Sequence, residues 1–232
     1  MKKETLEFTT AKGETTAYIA MPNKNGEEVK AVVIVQEYWG LNEHIKDIAN
    51  RYAGEGFVAI APDLYRGVVT KDKNEASKLM KNLEIEDGLD VINNAMIAAQ
   101  EKYGITKFGI TGFCMGGTYA LDAACKLEGL SASAPFYGDV PEEFTLQGLK
   151  CPVIFISGTK DQWINTEKVQ ELERIAKVNM LPIESIKYEA DHAFFNDTRP
   201  EVYDKDAAKD AWEKVVAFFN ENLSAKKIEG LA

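Results

Sequence analysis

Histidine is almost missing from this sequence: 232 residues hold only His44 and His192. Cysteine is scarce as well, with Cys114, Cys125 and Cys151 alone. A low, odd count without regular spacing argues against a disulfide framework. On one helix, Cys114 and Cys125 would be ~16 Å apart in rise, too far to bridge. The same scarcity leaves no metal-ligand spacing, so neither a metal nor another cofactor is expected. Positive charge is in deficit, 27 Lys and Arg against 37 Asp and Glu, for a net charge of -10. That excludes a nucleic-acid partner, which needs clustered Lys and Arg, and disfavours an acidic membrane surface. No apolar run is long enough to span a bilayer, and Met1-Lys2-Lys3-Glu4-Thr5 opens no apolar signal region. The expected location is the cytoplasm, and the expected state a monomer or weak homodimer.

What is present is an ordinary globular composition, 45% hydrophobic and 28% charged. No repeat, low-complexity stretch or Pro/Gly-rich linker divides the chain, so residues 1–232 are expected to form one domain. Residues 4–9 and 15–20 read as a hairpin around Ala11-Lys12-Gly13-Glu14. A polar loop follows over 21–30, with Pro22 and Gly26. Ala31-Val32-Val33-Ile34-Val35 and Phe57-Val58-Ala59-Ile60-Ala61 are continuous apolar runs, as in strands covered on both faces. Further strands are expected over 108–111, 131–136, 153–157 and 183–188. Helices are expected over 42–55, ended by Gly56, and over 84–102, 167–178 and 206–222, with one more opening near Met115. The lysine-rich segment 68–78 reads as a loop or lid. Strands alternating with helices after an opening hairpin imply a mostly parallel twisted sheet with helices on both faces. Chemistry then belongs at the carboxyl ends of the strands.

Gly112-Phe113-Cys114-Met115-Gly116-Gly117 lies between a strand and a helix. It matches the nucleophile turn G-x-S-x-G, with cysteine in place of serine. Side chains at the flanking glycines would collide with neighbouring backbone in so tight a turn. The helix N-terminus favours a thiolate, and the Met115 N–H is placed for a developing oxyanion. The P-loop ending and the G-x-G-x-x-G spacing are both absent, so a phosphate cradle is the weaker reading. The fold's connectivity asks for an acid and then a histidine later in the chain. Asp161 follows the 153–157 strand, and His192 follows the 183–188 strand. Asp191 competes with Asp161 as the orienting acid. His44 reads as a residue decorating its helix.

Five stretches together carry a family resemblance: Gln36-Glu37-Tyr38-Trp39-Gly40-Leu41, Ala61-Pro62-Asp63-Leu64-Tyr65, Gly112 to Gly117, Gly158-Thr159-Lys160-Asp161, and Asp191-His192-Ala193-Phe194. The chain resembles the dienelactone hydrolases over nearly its whole length. That resemblance implies an α/β-hydrolase fold and a Cys114–His192–Asp161 triad. It further implies that Glu37 contacts the resting thiol and is coupled to thiolate formation. The competing reading of Glu37 is a loop salt bridge. Tyr38 becomes the second oxyanion donor. Family members acting on an anionic lactone often have an arginine four residues after the histidine; here that position is Asn196. Arg199 and Lys73 are the basic residues nearest in pattern, so Lys73, Asn196 and Arg199 are substrate-binding candidates. Trp39 and Phe113 are candidate apolar walls, with Tyr38, Tyr137, Trp163, Phe194 and Phe195 as further aromatic candidates.

The expected activity is carboxylic ester hydrolysis of the carboxymethylenebutenolidase type. A small-molecule ester or lactone would be cleaved through a thioester acyl-enzyme, with Cys114 as nucleophile. Two alternatives share the scaffold: a promiscuous esterase or phosphotriesterase, and an inactive hydrolase fold used for binding.

Overall fold

The computed structural model describes residues 1–23 and 29–224. Residues 24–28 of the polar loop expected over 21–30, Gly26 included, lie outside the described residues. One eight-stranded sheet organises the rest, in the order β1-β2-β4-β3-β5-β6-β7-β8. The opening hairpin is β1 (Lys2–Thr10) and β2 (Gly13–Met21). Antiparallel pairing joins β1 to β2 and β2 to β4 (Val58–Pro62). All other pairs are parallel: β4 with β3 (Lys30–Val35), then β5 (Lys107–Phe113), β6 (Leu130–Phe136), β7 (Val153–Gly158) and β8 (Ile183–Tyr188).

The central strands are apolar on both faces because both faces are covered. Helices α1 (Glu43–Gly54) and α7 (Lys205–Leu223) pack on one side, where Ile45, Tyr52, Phe57 and Phe219 are buried. On the other side lie α3 (Ile85–Tyr103), α4 (Met115–Lys126) and α6 (Thr166–Val178), burying Ile92, Leu121, Phe155 and Leu172. Asn42 caps α1 by accepting a hydrogen bond from the Ile45 N–H, and Gly56 follows its end with φ 96°. Among the described residues, no helix is long and apolar enough to cross a membrane.

Two helices escape the sequence reading. The 68–78 segment is a loop only as far as Asp72: α2 (Lys73–Asn82) follows, capped by the Asp72 side chain on the Glu75 N–H. Ala76, Leu79, Met80 and Leu83 form a short apolar face at helical spacing, with Ala76 buried and Leu79 and Leu83 packed on the core. Lysine, glutamate, alanine, leucine and methionine add good helix propensity. The four-residue α5 (Glu143–Leu146) is a single turn, too short to carry a period.

The sheet's parallel strands end together at one edge, and β5 meets α4 there in a turn without spare room. A Cβ on Gly112 would sit 2.0 Å from the Gly116 carbonyl oxygen. A Cβ on Gly116 would sit 2.2 Å from the Val35 oxygen and 2.6 Å from that of Gln36. These are backbone atoms, so no side chain can yield. Gly116→Ala should cost about 3 kcal/mol of stability, lowering Tm by roughly 6–12 °C. Calorimetric unfolding checks this; a shift under about 2 °C would mean that the turn has slack.

Candidate active site

Cys114 stands alone between β5 and α4 with φ 56° and ψ -118°. A non-glycine residue in that region stores roughly 1–3 kcal/mol of strain. The surrounding backbone enforces it: the Cys114 N–H donates to the Phe136 carbonyl at 3.1 Å, and the Cys114 carbonyl accepts from Gly117 at 2.9 Å. The half-buried side chain is thereby lifted clear of the helix it precedes. Burial pushes the thiol up to about 12, and the Glu37 charge adds to that rise. A hydrogen bond from the Met115 N–H opposes them and loses. The helix N-terminus thus favours the thiolate as expected, but burial and the Glu37 charge outweigh it.

His192 and Asp161 meet across two loops. Nδ1 of His192 lies 2.6 Å from Oδ2 of Asp161. The other carboxylate oxygen accepts from the N–H groups of Trp163 at 2.8 Å and Ile164 at 2.9 Å. Burial alone would raise Asp161, but its bond to His192 and the backbone donors bring it below the usual aspartate range. Asp191, the competing acid, is exposed, and Asp161 is the carboxylate bonded to the ring. With Nδ1 committed, the Nε2 face of the ring is left for chemistry. Nε2 is buried and makes no hydrogen bond. Cys114 and His192 therefore line one cavity without being bonded to each other in this resting arrangement. The indole of Trp163 stands edge-on to the imidazole at 4.8 Å, and the Tyr137 ring lies 5.0 Å away.

Glu37 follows β3 and is 1% exposed. Burial raises its carboxyl from an ordinary 4.5 to about 7, against the Arg199 charge and a hydrogen bond from Asn196. The competing reading, a loop salt bridge, does not hold: the bonded partner of Glu37 is a neutral amide, Nδ2 of Asn196 at 2.8 Å. Asn196 itself is 2% exposed and does not line the cavity. Its expected substrate contact is thus replaced by a contact to Glu37, because the turn after His192 aims the short amide inward.

The cavity has a volume of about 490 Å³. Of the expected substrate-binding residues, Lys73, Trp39 and Arg199 line it. Phe113 does not: it is 1% exposed and stacks on Phe195 at 5.1 Å beneath the turn. Its neighbour in sequence points up into the site, so Phe113 points down into the core. Phe194 and Phe195 are buried likewise, whereas Tyr38, Tyr137 and Trp163 join the wall. Ser77 and Met80 complete a wall from α2 that the sequence reading missed. Residues 73, 77 and 80 share a helical face, a spacing visible only once the segment is recognised as helix. Thr118, Asp139 and Ile164 also line the cavity and carried no signal of their own. His44 is buried on α1, 3.4 Å from Asp197, outside the cavity. Neither Tyr38 nor Met115 has its N–H taken by a protein oxygen among the described residues. Among the same residues, no three His, Cys, Asp or Glu side chains gather as a metal site.

Comparison with known proteins agrees with this geometry. Residues 15–223 match the model of the dienelactone hydrolase family. A protein of Aquifex aeolicus named "Putative carboxymethylenebutenolidase" is 36% identical over 231 residues, spanning 94% of this chain and 98% of its own length. "Protein usf" of Aquifex pyrophilus is 36% identical with the same coverage. The crystal structure of a "Putative Dienelactone Hydrolase" from Klebsiella pneumoniae superposes with a TM-score of 0.88 at 28% identity. That superposition covers 95% of this chain and 98% of the other. A family model matching nine-tenths of the sequence and relatives 36% identical over nearly the whole chain lead to one assignment: the chain belongs to the dienelactone hydrolase family.

Proposed function

We propose that this protein hydrolyses small carboxylic esters or lactones, with Cys114 as nucleophile and a thioester as intermediate. One observation carries the reading: a single cavity holds a strained, accessible cysteine, a histidine with only Nε2 free, and a buried carboxylate. In this reading the whole chain acts as one hydrolase unit. An aromatic or unsaturated ester suits the walls of Tyr38, Trp39, Met80, Tyr137 and Trp163. Lys73 and Arg199 can meet a substrate carboxylate, although Arg199 already donates to Glu201 at 2.9 Å. Lysine lacks arginine's bidentate fork, so the pair selects charge more than shape.

The reaction begins with Glu37 as carboxylate. It takes the thiol proton, and the thiolate sulfur attacks the carbonyl carbon. The N–H groups of Met115 and Tyr38 receive the oxyanion. The carbonyl re-forms as the C–O bond breaks, leaving an acyl-thioester on Cys114 and an alkoxide or enolate. An enolate needs no strong acid, and the proton on Glu37 is available for poorer leaving groups. His192 Nε2 then removes a proton from water, the Nδ1–H bond to Asp161 stabilising the imidazolium. Hydroxide adds to the thioester, and the C–S bond breaks to give the acid and the thiolate. Where Glu37 kept its proton it returns it to sulfur and His192 releases its own to solvent; where Glu37 gave its proton to the leaving group, His192 passes its proton to sulfur.

Cys114→Ala should reduce turnover of p-nitrophenyl acetate by about 10⁴-fold or more. Activity near the wild-type rate would remove the nucleophile assignment. His192→Gln should still acylate but deacylate slowly, so mass spectrometry after mixing with ester should find the acyl group on Cys114. An unmodified Cys114 under those conditions would speak against the thioester.

The pH dependence follows from Glu37. Its carboxylate form accepts the thiol proton, so kcat/KM should climb as the pH rises through about 7 and Glu37→Gln should lose that limb. Stability runs the other way. The folded state binds this proton more tightly than the unfolded chain, so the contribution is complete below about 4.5 and lost as the pH rises through about 7. Glu37→Gln cannot ionise and should be more stable than wild type by about 3 kcal/mol near pH 8, with the gain falling below about 1 kcal/mol near pH 5. Urea unfolding at the two pH values measures both.

A further inference from the structure

We propose that Asn196, locked by Thr198, is a positioning residue that holds the Glu37 carboxylate beside Cys114 while leaving it free to take and return a proton. The inference rests on the reading of Glu37 as the acceptor of the thiol proton. Its basis is the fixed sense of one buried amide. Oδ1 of Asn196 accepts twice from Thr198, from the backbone N–H at 3.0 Å and the hydroxyl at 2.6 Å. A carbonyl oxygen alone can accept both, so the amide cannot flip. Nδ2 must then face Glu37, and it donates to Oε2 at 2.8 Å. The turn carrying this amide is itself tied back, with the Asn196 N–H on the Ala193 carbonyl at 2.9 Å and the Arg199 N–H on the Asn196 carbonyl at 3.1 Å. One loop therefore carries the base, His192, and the group that aims the proton acceptor.

Neutrality is the useful property of this partner. An ion pair would hold Glu37 as a weakly basic carboxylate, and an apolar neighbour would leave it a protonated acid. An amide N–H donates to either form. It bonds Oε2 whether or not a proton sits on Oε1, so proton transfer breaks no contact. The other groups acting on Glu37 or acted on by it are Cys114 from the start of α4, Tyr38 beside it, Tyr137 after β6, and Arg199 from the same loop as Asn196. Arg199 is their one cation, and at 2.9 Å it is engaged by Glu201.

The test is the pH profile of Cys114 alkylation by iodoacetamide, a neutral probe, followed by mass spectrometry on the full chain. Asn196→Ala removes the donor, so the rising limb should move up by about one pH unit, making alkylation roughly tenfold slower near pH 6. Thr198→Val keeps the Thr198 backbone donor, and with it the sense of the amide, but removes the hydroxyl bond that holds the amide in place. It should move the limb in the same direction by a smaller amount, and it remains informative if Asn196→Ala fails to fold. Asn196→Arg should move the limb down. Limbs unmoved in Asn196→Ala and Thr198→Val, with rates lowered evenly at all pH values, would overturn the proposal and leave Asn196 a merely structural residue. Glu37→Gln separates the two levels: if it leaves the limb in place, the underlying reading of Glu37 falls and this inference with it. If it abolishes the limb while Asn196→Ala does not move it, only the inference about Asn196 falls.

Discussion

The whole site hangs on backbone meeting backbone where α4 crosses the end of β3. Gly116 lies so close to the Val35 and Gln36 carbonyls that a single methyl group would overlap them. That contact sets where α4 begins, and hence where Cys114 stands relative to Glu37, the next residue along from Gln36. A wider approach would separate sulfur from carboxylate. The left-handed backbone of Cys114 follows from the same closeness, since the chain has no other way to turn from β5 into α4. Strain that would be eliminated elsewhere is retained here because the sheet and helix on either side are too well packed to release it.

Electrostatics then divides the labour between two pairs. His192 and Asp161 are complementary, and their short bond gives the imidazole one fixed orientation. Cys114 and Glu37 are competitors: each is buried, each is costly to ionise, and a negative charge on either opposes charge on the other. In the proposed mechanism this competition keeps the thiol protonated until a substrate carbonyl at the oxyanion donors takes up the sulfur's charge. The cost is a site that is less stable than it needs to be at neutral pH, a common exchange of stability for chemistry.

Much of this was legible in the chain because the relevant signals are local. Continuous valine and isoleucine runs identify buried parallel strands. A glycine-flanked cysteine between strand and helix identifies the turn, and a near absence of histidine leaves a single candidate base. What escaped was the direction in which individual side chains point. Phe113 adjoins the nucleophile yet faces the core, because successive residues at a strand's end alternate sides. Asn196 stands where relatives often have a substrate-binding arginine, but its short amide reaches inward to Glu37, and position in a motif does not report reach. Helix α2 was missed for a different reason. Ala76, Leu79, Met80 and Leu83 do fall at helical spacing, but this short period sits in a lysine-rich polar segment whose composition outweighed it.

That last miss bears on specificity. Helix α2 buries only Ala76, so little of its stability comes from packing on the core. It nevertheless supplies Lys73, Ser77 and Met80 to the cavity. The opposite wall, from Cys114 to His192, is fixed by glycine contacts and the hydrogen bond between His192 and Asp161. Tolerance to substitution is therefore concentrated on the α2 side, where a change touches substrate but neither the sheet nor the proton pathway.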